Sequence, residues 1–418
     1  MIRALSVWWD EALVGALRLD QHGDMGFSYN EAWVLDPTRW AISQSLPKQP
    51  EPFGRRQARP FFGGLLPEEA QRDAVAAALG ISKANDFRLL EALGGDVAGA
   101  LTLWPEGETP PQTPRSDAAN LLDHTALVEI LDTLPKRPFL AGREGLRLSL
   151  AGAQSKLPVV LVDGEVALPA PGQPTTHILK PPIGRFAATT ENEAFAMRLA
   201  QASGLPVAAV EPRKVGGRPF LLVERYDRRT DEAGLKRRVH QEDFCQALGI
   251  PSENKYASEG GPSFRDCFDL VRRACAQPAP STLQLLDAAI FNVIVGNADA
   301  HGKNFSLLYA ETGIALAPLY DLMCTVAYPD LSPKFAMRIA RRPTLQDFRA
   351  DTWDEFAKDV GLTAPYTRRR VRELARAVSS NARGVANDLA ELDMDREALA
   401  SFTSIVIERA ERFLTSDG

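Results

Sequence analysis

Cysteine is scarce in this chain, and long apolar runs are missing. Four cysteines occur among 418 residues, and no two of them have the Cys-x-x-Cys spacing of zinc or redox sites. So few unpaired cysteines in so long a chain favour a reducing compartment. No uninterrupted apolar run approaches the ~20 residues that cross a bilayer, and the first ten residues lack a signal-like segment. We therefore expect a soluble, cytoplasmic protein without a membrane partner.

An excess of positive charge is missing as well. The net charge is -6, with 45% apolar and 24% charged residues, which is usual for a soluble globular protein. No overall positive field would draw the chain to nucleic acid or anionic lipid. Because 418 residues exceed one compact core, two or three domains are expected. The proline-rich stretch Pro105–Asp117 predicts a linker, so we expect domains over 1–106, 118–238 and 239–418.

The first half of the chain is rich in short β-like segments. Near the N-terminus, the pattern predicts strands over Arg3–Trp9, Ala12–Leu19 and Met25–Tyr29, and helices over Pro67–Gly80 and Asp86–Leu93. Beyond the linker, it predicts one helix over Glu191–Ser203 and strands over Leu146–Leu150, Leu157–Val162, His177–Lys180 and Phe220–Val223.

Helical patterns dominate from His240 onward. The segment Ser281–Val295 is apolar almost all round, which predicts a buried helix. A short β-like block over Phe305–Tyr309 and Ile314–Ala317 follows, and the stretch from Trp353 to Phe413 is helical with an interruption at Pro365. A β-rich half thus precedes a helical half, and the seam between two such lobes is a common place for a ligand cleft.

The segment Asn297–Asn304 carries the strongest chemical signal. Asp299 and Asn304 are five residues apart, the spacing of the catalytic-loop Asp and Asn in protein kinases. Phosphoryl transfer needs a carboxylate that accepts the proton of the attacking hydroxyl and a neutral oxygen that holds Mg²⁺. The same spacing is common by accident, and an Asx-rich turn at a helix end would explain it equally.

Further signals flank this segment. Asp321 follows a strand, where kinases place a second Mg²⁺-binding carboxylate. The small residues of Ser149–Lys156 would let main-chain N–H groups approach phosphates. Lys180 ends a strand and could bridge phosphates while pairing with Glu191 or Glu193 on the next helix. Each of these has an ordinary explanation, such as a tight hairpin or a solvated edge lysine.

A last signal lies where the two halves meet, in Leu222–Asp227. Main-chain groups near Glu224–Tyr226 would suit an adenine and a carboxylate would suit the ribose, although a strand end with an inward Tyr is the plainer explanation. We call Ser149–Lys156 the phosphate loop and Leu222–Asp227 the hinge. The phosphate loop, the strand Lys, the helix Glu, the hinge and the acids Asp299 and Asp321 occur in the order typical of a kinase. The sequence therefore predicts an ATP- and Mg²⁺-dependent kinase.

Several stretches also resemble one known family. They include LLEALGGDVAGAL at 89–101, PTTHILK at 174–180, VERYDR at 223–228, HQEDFCQ at 240–246 and the loop at 297–306. In these the chain resembles HipA, the bacterial serine/threonine kinase toxins of toxin–antitoxin modules. The resemblance implies an α+β, kinase-like bilobal fold, with a β-rich N-terminal half that has a small extra subdomain and a mostly α-helical C-terminal lobe.

The resemblance also implies residue roles. Asp299 would be the catalytic base with His301 in the same loop, Asn304 and Asp321 would hold Mg²⁺, and Ser149 would be the autophosphorylated serine, with Ser155 as a rival acceptor. The implied ATP contacts are Ala151, Gly152, Ala153, Gln154, Ser155, Lys156, Lys180, Glu193, Glu224, Arg225, Tyr226, Asp227, His301, Gly302, Lys303, Asn304, Tyr320 and Asp321.

The implied partners are a HipB-like helix-turn-helix antitoxin, operator DNA reached through it, and a protein substrate such as an aminoacyl-tRNA synthetase, glutamyl-tRNA synthetase first. Two alternatives remain open. Asp299-x-His301-x-x-Asn304 also resembles the loop of phosphoinositide kinases, which would suit a lipid or small-molecule kinase. A corepressor that has lost catalysis is the other. The Arg-rich stretch Thr367–Arg376 could face DNA, but most such helices are solvated faces.

Overall fold

The computed structural model describes residues 3–112, 114 and 118–415. Its N-terminal part is a four-stranded antiparallel sheet in the order β3-β2-β1-β4, covered by four helices. The strands are β1 Ala4–Trp9, β2 Ala12–Leu19, β3 Met25–Tyr29 and β4 Leu101–Pro105. The helices are α1 Glu31–Leu35, α2 Arg55–Gly63, α3 Glu69–Leu79 and α4 Asp86–Leu93.

A six-stranded antiparallel sheet follows, in the order β5-β7-β6-β8-β10-β9. Its strands are β5 Asn120–Leu121, β6 Leu157–Val162, β7 Glu165–Leu168, β8 His177–Lys180, β9 Val210–Val215 and β10 Arg218–Glu224. Helices α5 His124–Thr133 and α6 Thr189–Ala202 pack against this sheet. A hairpin of β11 Arg228–Thr230 and β12 Lys236–Arg238 leads out of the sheet.

The C-terminal part is mostly helical. Its helices are α7 Phe244–Leu248, α8 Phe264–Ala274, α9 Pro278–Val295, α10 Thr352–Asp359, α11 Ala364–Glu391 and α12 Arg396–Thr415. Its one sheet is β13 His240–Asp243, β14 Ser306–Ala310 and β15 Gly313–Leu316. The predicted α+β, kinase-like two-lobed fold is thereby confirmed.

Most of the predicted elements agree with the structure within a few residues. The helix ends expected at Gly80 and Gly94 are present, and Pro365 stands in the first turn of α11, where its missing N–H costs no helix bond. Helix α9 is long and apolar enough to cross a membrane, but two thirds of it, 67%, is buried within the protein, as expected of a core helix.

Leu146–Leu150 is the one predicted strand that is wrong. Only Leu148 forms an isolated bridge, and its partner is Asp96 in the loop after α4. The apolar character of the segment comes from burial against this loop rather than from a sheet. In the predicted linker, residues 106–112 contain no helix or strand, and positions 113 and 115–117 lie outside the described residues.

Candidate active site

Lys180 lies at the centre of a buried ionic cluster between the sheet and the helical lobe. It ends β8, where strands β6 and β10 flank it, and its side chain is buried. Its Nζ is 2.6 Å from Glu193 Oε1 on α6 and 2.8 Å from Asp321 Oδ1 in the segment after β15. Glu193 rather than Glu191 is therefore the helix partner. We call Lys180, Glu193 and Asp321 the cleft cluster.

Asp321 is the member of the cleft cluster that solvent can reach, with 42% of its side chain exposed. Burial by its surroundings would raise the pKa of Asp321, but the ammonium groups of Lys180 and Lys156 outweigh it and hold that pKa well below its usual value. A charged carboxylate thus stands at the edge of the cleft at neutral pH. Its Oδ2 receives no hydrogen bond from the part of the chain that the structure describes.

The segment that carries Asp321 is tied to α6. Asp321 has a φ of +59°, a left-handed conformation that is costly outside glycine. Asn192, next to Glu193, accepts from Cys324 N at 2.7 Å and donates to Cys324 O at 3.1 Å. One helix therefore positions both Glu193 and Asp321. No local sequence pattern indicates this role of Asn192, because its partner Cys324 is distant in the chain.

The loop of Asp299 begins where α9 ends. Asp299 reaches the surface of the cleft, where its Oδ1 accepts a 3.0 Å hydrogen bond from the hydroxyl of Tyr256. Desolvation by the cleft walls raises the pKa of Asp299 to about 6, against the opposing effect of Lys255, and Asp321 adds to the rise. A carboxyl with such a pKa is largely ionised at neutral pH yet can hold a proton, as a general base must.

Asn304 faces the same loop. Its Nδ2 donates to the main-chain oxygen of Asp299 at 3.2 Å. Because a carbonyl oxygen only accepts, this bond fixes which end of the amide is the nitrogen. The amide oxygen receives no hydrogen bond from any described residue, so it is available as a neutral ligand.

Asn304 and Asp321 fit a magnesium ion of the kinase type. Within the described ranges, no group of three or more His, Cys, Asp and Glu side chains could hold a metal ion by itself. Kinases do not need such a group, because one Asp and one Asn hold Mg²⁺ together with the nucleotide phosphates. The free oxygens of Asn304 and Asp321 match that donor set.

His301 and Lys303 are buried in the same loop. Burial and the nearby Lys255 lower the pKa of His301 to about 4, so its ring is neutral, and its Nδ1 is buried without a hydrogen-bond partner among the described residues. Lys303 Nζ is 2.5 Å from Asp243 Oδ2, so the two side chains form a buried ion pair in the C-terminal lobe. The predicted ATP contact of Lys303 is therefore not supported, since its ammonium already has a carboxylate partner.

Gly302 and Tyr320 support this loop from behind. A Cβ on Gly302 would lie 2.5 Å from Pro262 Cγ, so only glycine fits there. The hydroxyl of Tyr320 donates to Lys303 O at 2.7 Å, and its ring lies 5.8 Å from that of Tyr226. These two residues shape the loop and the cleft wall.

In the predicted phosphate loop, several main-chain donors have no partner in the described part of the chain. The N–H groups of Ala151, Ala153, Gln154 and Ser155 donate no hydrogen bond to any described residue, whereas Gly152 forms an isolated bridge with Pro67. Gly152 has a φ of +111°, which a side chain would disfavour. Lys156 Nζ folds back to Ala151 O at 2.7 Å, and burial together with Lys180 lowers its pKa to about 8. This is a cradle of free donors beside a cation, as phosphate binding requires.

Ser149 is fully buried at the start of this loop, with 0% of its surface exposed. Its Oγ donates to Leu65 O at 2.8 Å, and its N–H donates to Asp96 O at 3.0 Å. Ser155, the rival acceptor, is only half-buried and accepts from the Gln71 amide at 3.0 Å. Phosphorylation of Ser149 would thus require its segment to leave this position.

At the hinge, Asp227 is enclosed by protein groups. Asp227 is 2% exposed, and its oxygens accept from Arg225 at 2.7 and 3.0 Å and from Gly99 N at 2.8 Å. These contacts give the ribose contact predicted for Asp227 no support. The sequence could not show this, because Gly99 lies far away in the chain.

Some main-chain N–H groups at the hinge are already hydrogen-bonded within the described residues, but one is available to bind a ligand. The N–H groups of Glu224 and Arg225 donate to Ala209 O and Thr176 O, respectively. The N–H of Tyr226 donates to no described residue, so Tyr226 is the position that remains for an adenine contact. The guanidinium of Arg225 is buried beside Asp227 and does not reach the cleft.

Comparisons with known proteins agree with this arrangement. Residues 5–104 match the model of the HipA N-terminal domain, and residues 148–382 match that of the HipA-like C-terminal domain. A Sinorhizobium fredii protein named "Putative kinase Y4mE" is 60% identical over 98% of both chains. The "Serine/threonine-protein kinase toxin HipA" of Shewanella oneidensis is 30% identical over 97% of this chain and 94% of that protein.

A solved structure shows the same fold. It is a complex of the Shewanella oneidensis toxin HipA with HipB and its operator DNA. Its matching chain superposes with a TM-score of 0.86 and 29% sequence identity over 98% of this chain and 97% of that chain. The likeness therefore extends over both lobes and the N-terminal part.

Proposed function

Because this chain belongs to the HipA family, we propose that it is a serine/threonine-protein kinase that acts as the toxin of a HipBA-type toxin–antitoxin module. It would transfer the γ-phosphate of ATP to a protein. The observation that carries the proposal is the cleft cluster, in which Lys180 holds both Glu193 and Asp321. A strand Lys paired with a helix Glu beside a metal-binding Asp is the arrangement of catalytically competent kinases.

The residues of the cleft account for the transfer step. Asp299 accepts the proton of the substrate hydroxyl while that oxygen bonds to the γ-phosphorus and the bond to the β–γ bridging oxygen breaks, releasing ADP. Tyr256 holds one oxygen of Asp299 and leaves the other for the substrate. Mg²⁺, when bound by Asn304 and Asp321, supplies charge neutralisation on the phosphates. The free N–H groups of Ala151 and of residues 153–155 bind the phosphates together with Lys180.

The position of Ser149 supports self-inactivation by its phosphorylation. A phosphate carries about -1.5 to -2 charges and only acceptor oxygens at its surface. The place of Ser149 beside Leu65 O is buried and already holds an acceptor, so a phosphorylated Ser149 would be expelled from it. Its departure would pull the adjoining loop at residues 151–156 away from the nucleotide. We therefore propose that autophosphorylation at Ser149 switches the kinase off.

The proposed partners follow from the relatives. The Shewanella oneidensis complex contains HipB and operator DNA, and we propose a HipB-like antitoxin that brings this chain to DNA in the cytoplasm. Direct DNA contact by the Arg-rich start of α11 has little support, because Arg368, Arg369 and Arg370 are each paired with a carboxylate. The proposed substrate class is an aminoacyl-tRNA synthetase, glutamyl-tRNA synthetase first.

Phosphate mapping after incubation with ATP and Mg²⁺ tests the proposal. We expect a phosphopeptide that contains Ser149 from the wild type and none from a folded Asp299→Gln variant, which should also fail to arrest growth. Asp388→Asn, at an exposed acid on α11, is the matched control and should behave as wild type. Turnover of ATP with a lipid or small acceptor and no phosphopeptide would favour the lipid-kinase alternative. Retained toxicity of Asp299→Gln would favour a non-catalytic role.

A further inference from the structure

One buried acidic residue outside the cleft contacts both the hinge and the start of the phosphate loop. Asp96 lies in the loop between α4 and β4 of the N-terminal part and is 3% exposed. Its Oδ1 accepts from Arg228 at 3.0 Å and from Arg238 at 2.9 Å, and its Oδ2 accepts from Thr175 Oγ1 at 2.6 Å. Arg225 is 3.3 Å from the same oxygen. We call Asp96, Arg225, Asp227, Arg228 and Arg238 the Asp96 network.

The main chain of Asp96 contacts the segment that leads into the phosphate loop. Its N–H donates to Arg147 O at 2.9 Å, and its carbonyl accepts from Ser149 N at 3.0 Å. Ser149 starts the phosphate loop. The residue therefore binds the root of the loop by its main chain and the hinge by its carboxylate. Neighbouring main-chain groups add to this, because Arg225 donates to Val97 O at 2.8 Å.

Three partners of Asp96, namely Thr175, Arg225 and Arg228, lie next to groups of the candidate site in the chain. Thr175 precedes β8, which ends at Lys180. Arg225 and Arg228 flank Tyr226, whose N–H is free for an adenine. A buried carboxylate with three guanidinium partners is weak evidence for stability, since apolar residues often serve as well. A carboxylate that joins the nucleotide-binding elements to one another has a further effect, because their spacing depends on it.

We infer that Asp96 is a positioning residue for nucleotide binding, through which the N-terminal part sets the spacing between the hinge and the phosphate loop. The inference rests on the proposed kinase function. Asp96 touches no group assigned to proton transfer or to metal binding, so its loss should weaken ATP binding far more than it slows the transfer itself.

Autophosphorylation at a series of ATP–Mg²⁺ concentrations tests this inference. In Asp96→Asn we expect the half-saturating ATP concentration to rise on the order of tenfold, with a smaller change of the rate at saturation. Thr175→Val removes only a hydroxyl partner of Asp96, so it should raise the half-saturating ATP concentration by a smaller factor. Asp86→Asn is the matched control, because Asp86 is also buried and paired with two arginines, Arg59 and Arg72, within the N-terminal part.

Calorimetric titration with ATP–Mg²⁺ distinguishes failure of the kinase proposal from failure of the positioning role of Asp96. A wild type that neither binds ATP nor phosphorylates itself would overturn the kinase proposal and this inference with it. An active wild type whose folded Asp96→Asn and Thr175→Val variants match Asp86→Asn in half-saturating ATP would overturn only the positioning role. If Asp96→Asn does not fold, Thr175→Val alone is the test. An unchanged half-saturating ATP concentration in Thr175→Val would then contradict the inference.

Discussion

Two of the buried ionic clusters in the described part of the chain, the cleft cluster and the Asp96 network, differ in one respect. In the cleft cluster, Lys180 and Glu193 are buried while 42% of the Asp321 side chain is exposed, with one oxygen lacking a partner among the described residues. The Asp96 network is closed in the sense that both oxygens of Asp96 and of Asp227 are bound by protein donors, although one buried guanidinium nitrogen of Arg238 has no partner among the described residues. A carboxylate with a free oxygen can accept a ligand, whereas carboxylates bound at both oxygens can only hold elements together.

The largest effect is expected from Asp321→Asn, which keeps the shape of the side chain but removes the charge that faces the cleft. Mg²⁺ affinity and the charge balance at the phosphates should both fall, so we expect autophosphorylation to slow on the order of 10³-fold. The thermal unfolding temperature should stay close to that of the wild type, because Asp321 is partly solvated. A variant that keeps most of its activity would show that Asp321 does not hold the metal.

Asp227→Asn is the counterpart in the closed network. It leaves Arg225 and Arg228 buried with one carboxylate fewer, and removal of one partner from a buried ion pair costs about 3–5 kcal/mol of stability. Denaturant unfolding would measure this loss. If Asp227 instead binds the ribose, the variant would unfold like the wild type and lose ATP affinity, and the predicted ribose contact would then be supported.

The same contrast explains what the sequence could reveal. Lys180, Asp321 and a helix acid, Glu191 or Glu193, were predicted because their order along the chain and their positions at element ends are typical of kinases, and the resemblance to HipA implied Glu193 and the kinase-like fold. The order of strands and helices followed from apolar periodicity and from glycine and proline at helix ends. These are local signals, and they need no knowledge of distant contacts.

The predictions that the observed contacts do not support concern residues whose partners are remote. Asp227 binds Gly99 and Lys303 binds Asp243, so each has a neighbour that no local pattern indicates. The segment 146–150 has the composition of a strand, but its partner is the loop of Asp96. A charged residue in a motif can serve a ligand or a closed network, and only the three-dimensional contacts distinguish the two.

The smallest effect concerns Glu242, a buried carboxyl that has polar partners but no cation. It accepts from Ser43 Oγ at 2.5 Å, Gln44 N at 3.0 Å and Tyr309 Oη at 2.5 Å. Burial raises the pKa of Glu242 to about 7, and Asp243 adds to the rise. The folded protein therefore binds this proton more tightly than the unfolded chain, so stability is lost as pH rises from about 4.5 to 7.

Glu242→Gln removes this titration and keeps the size of the side chain. Its unfolding temperature relative to wild type should therefore improve by a few degrees between pH 5 and pH 8. Asp96 offers the contrast, because the nearby guanidinium groups overcome its burial and hold its pKa well below the usual range, so it adds no pH dependence in this window. An equal difference between Glu242→Gln and wild type at both pH values would mean that Glu242 is ionised throughout. Its three donors would then stabilise the carboxylate as fully as the cations do at Asp96, and the distinction between neutral and cationic partners would not govern these buried acids.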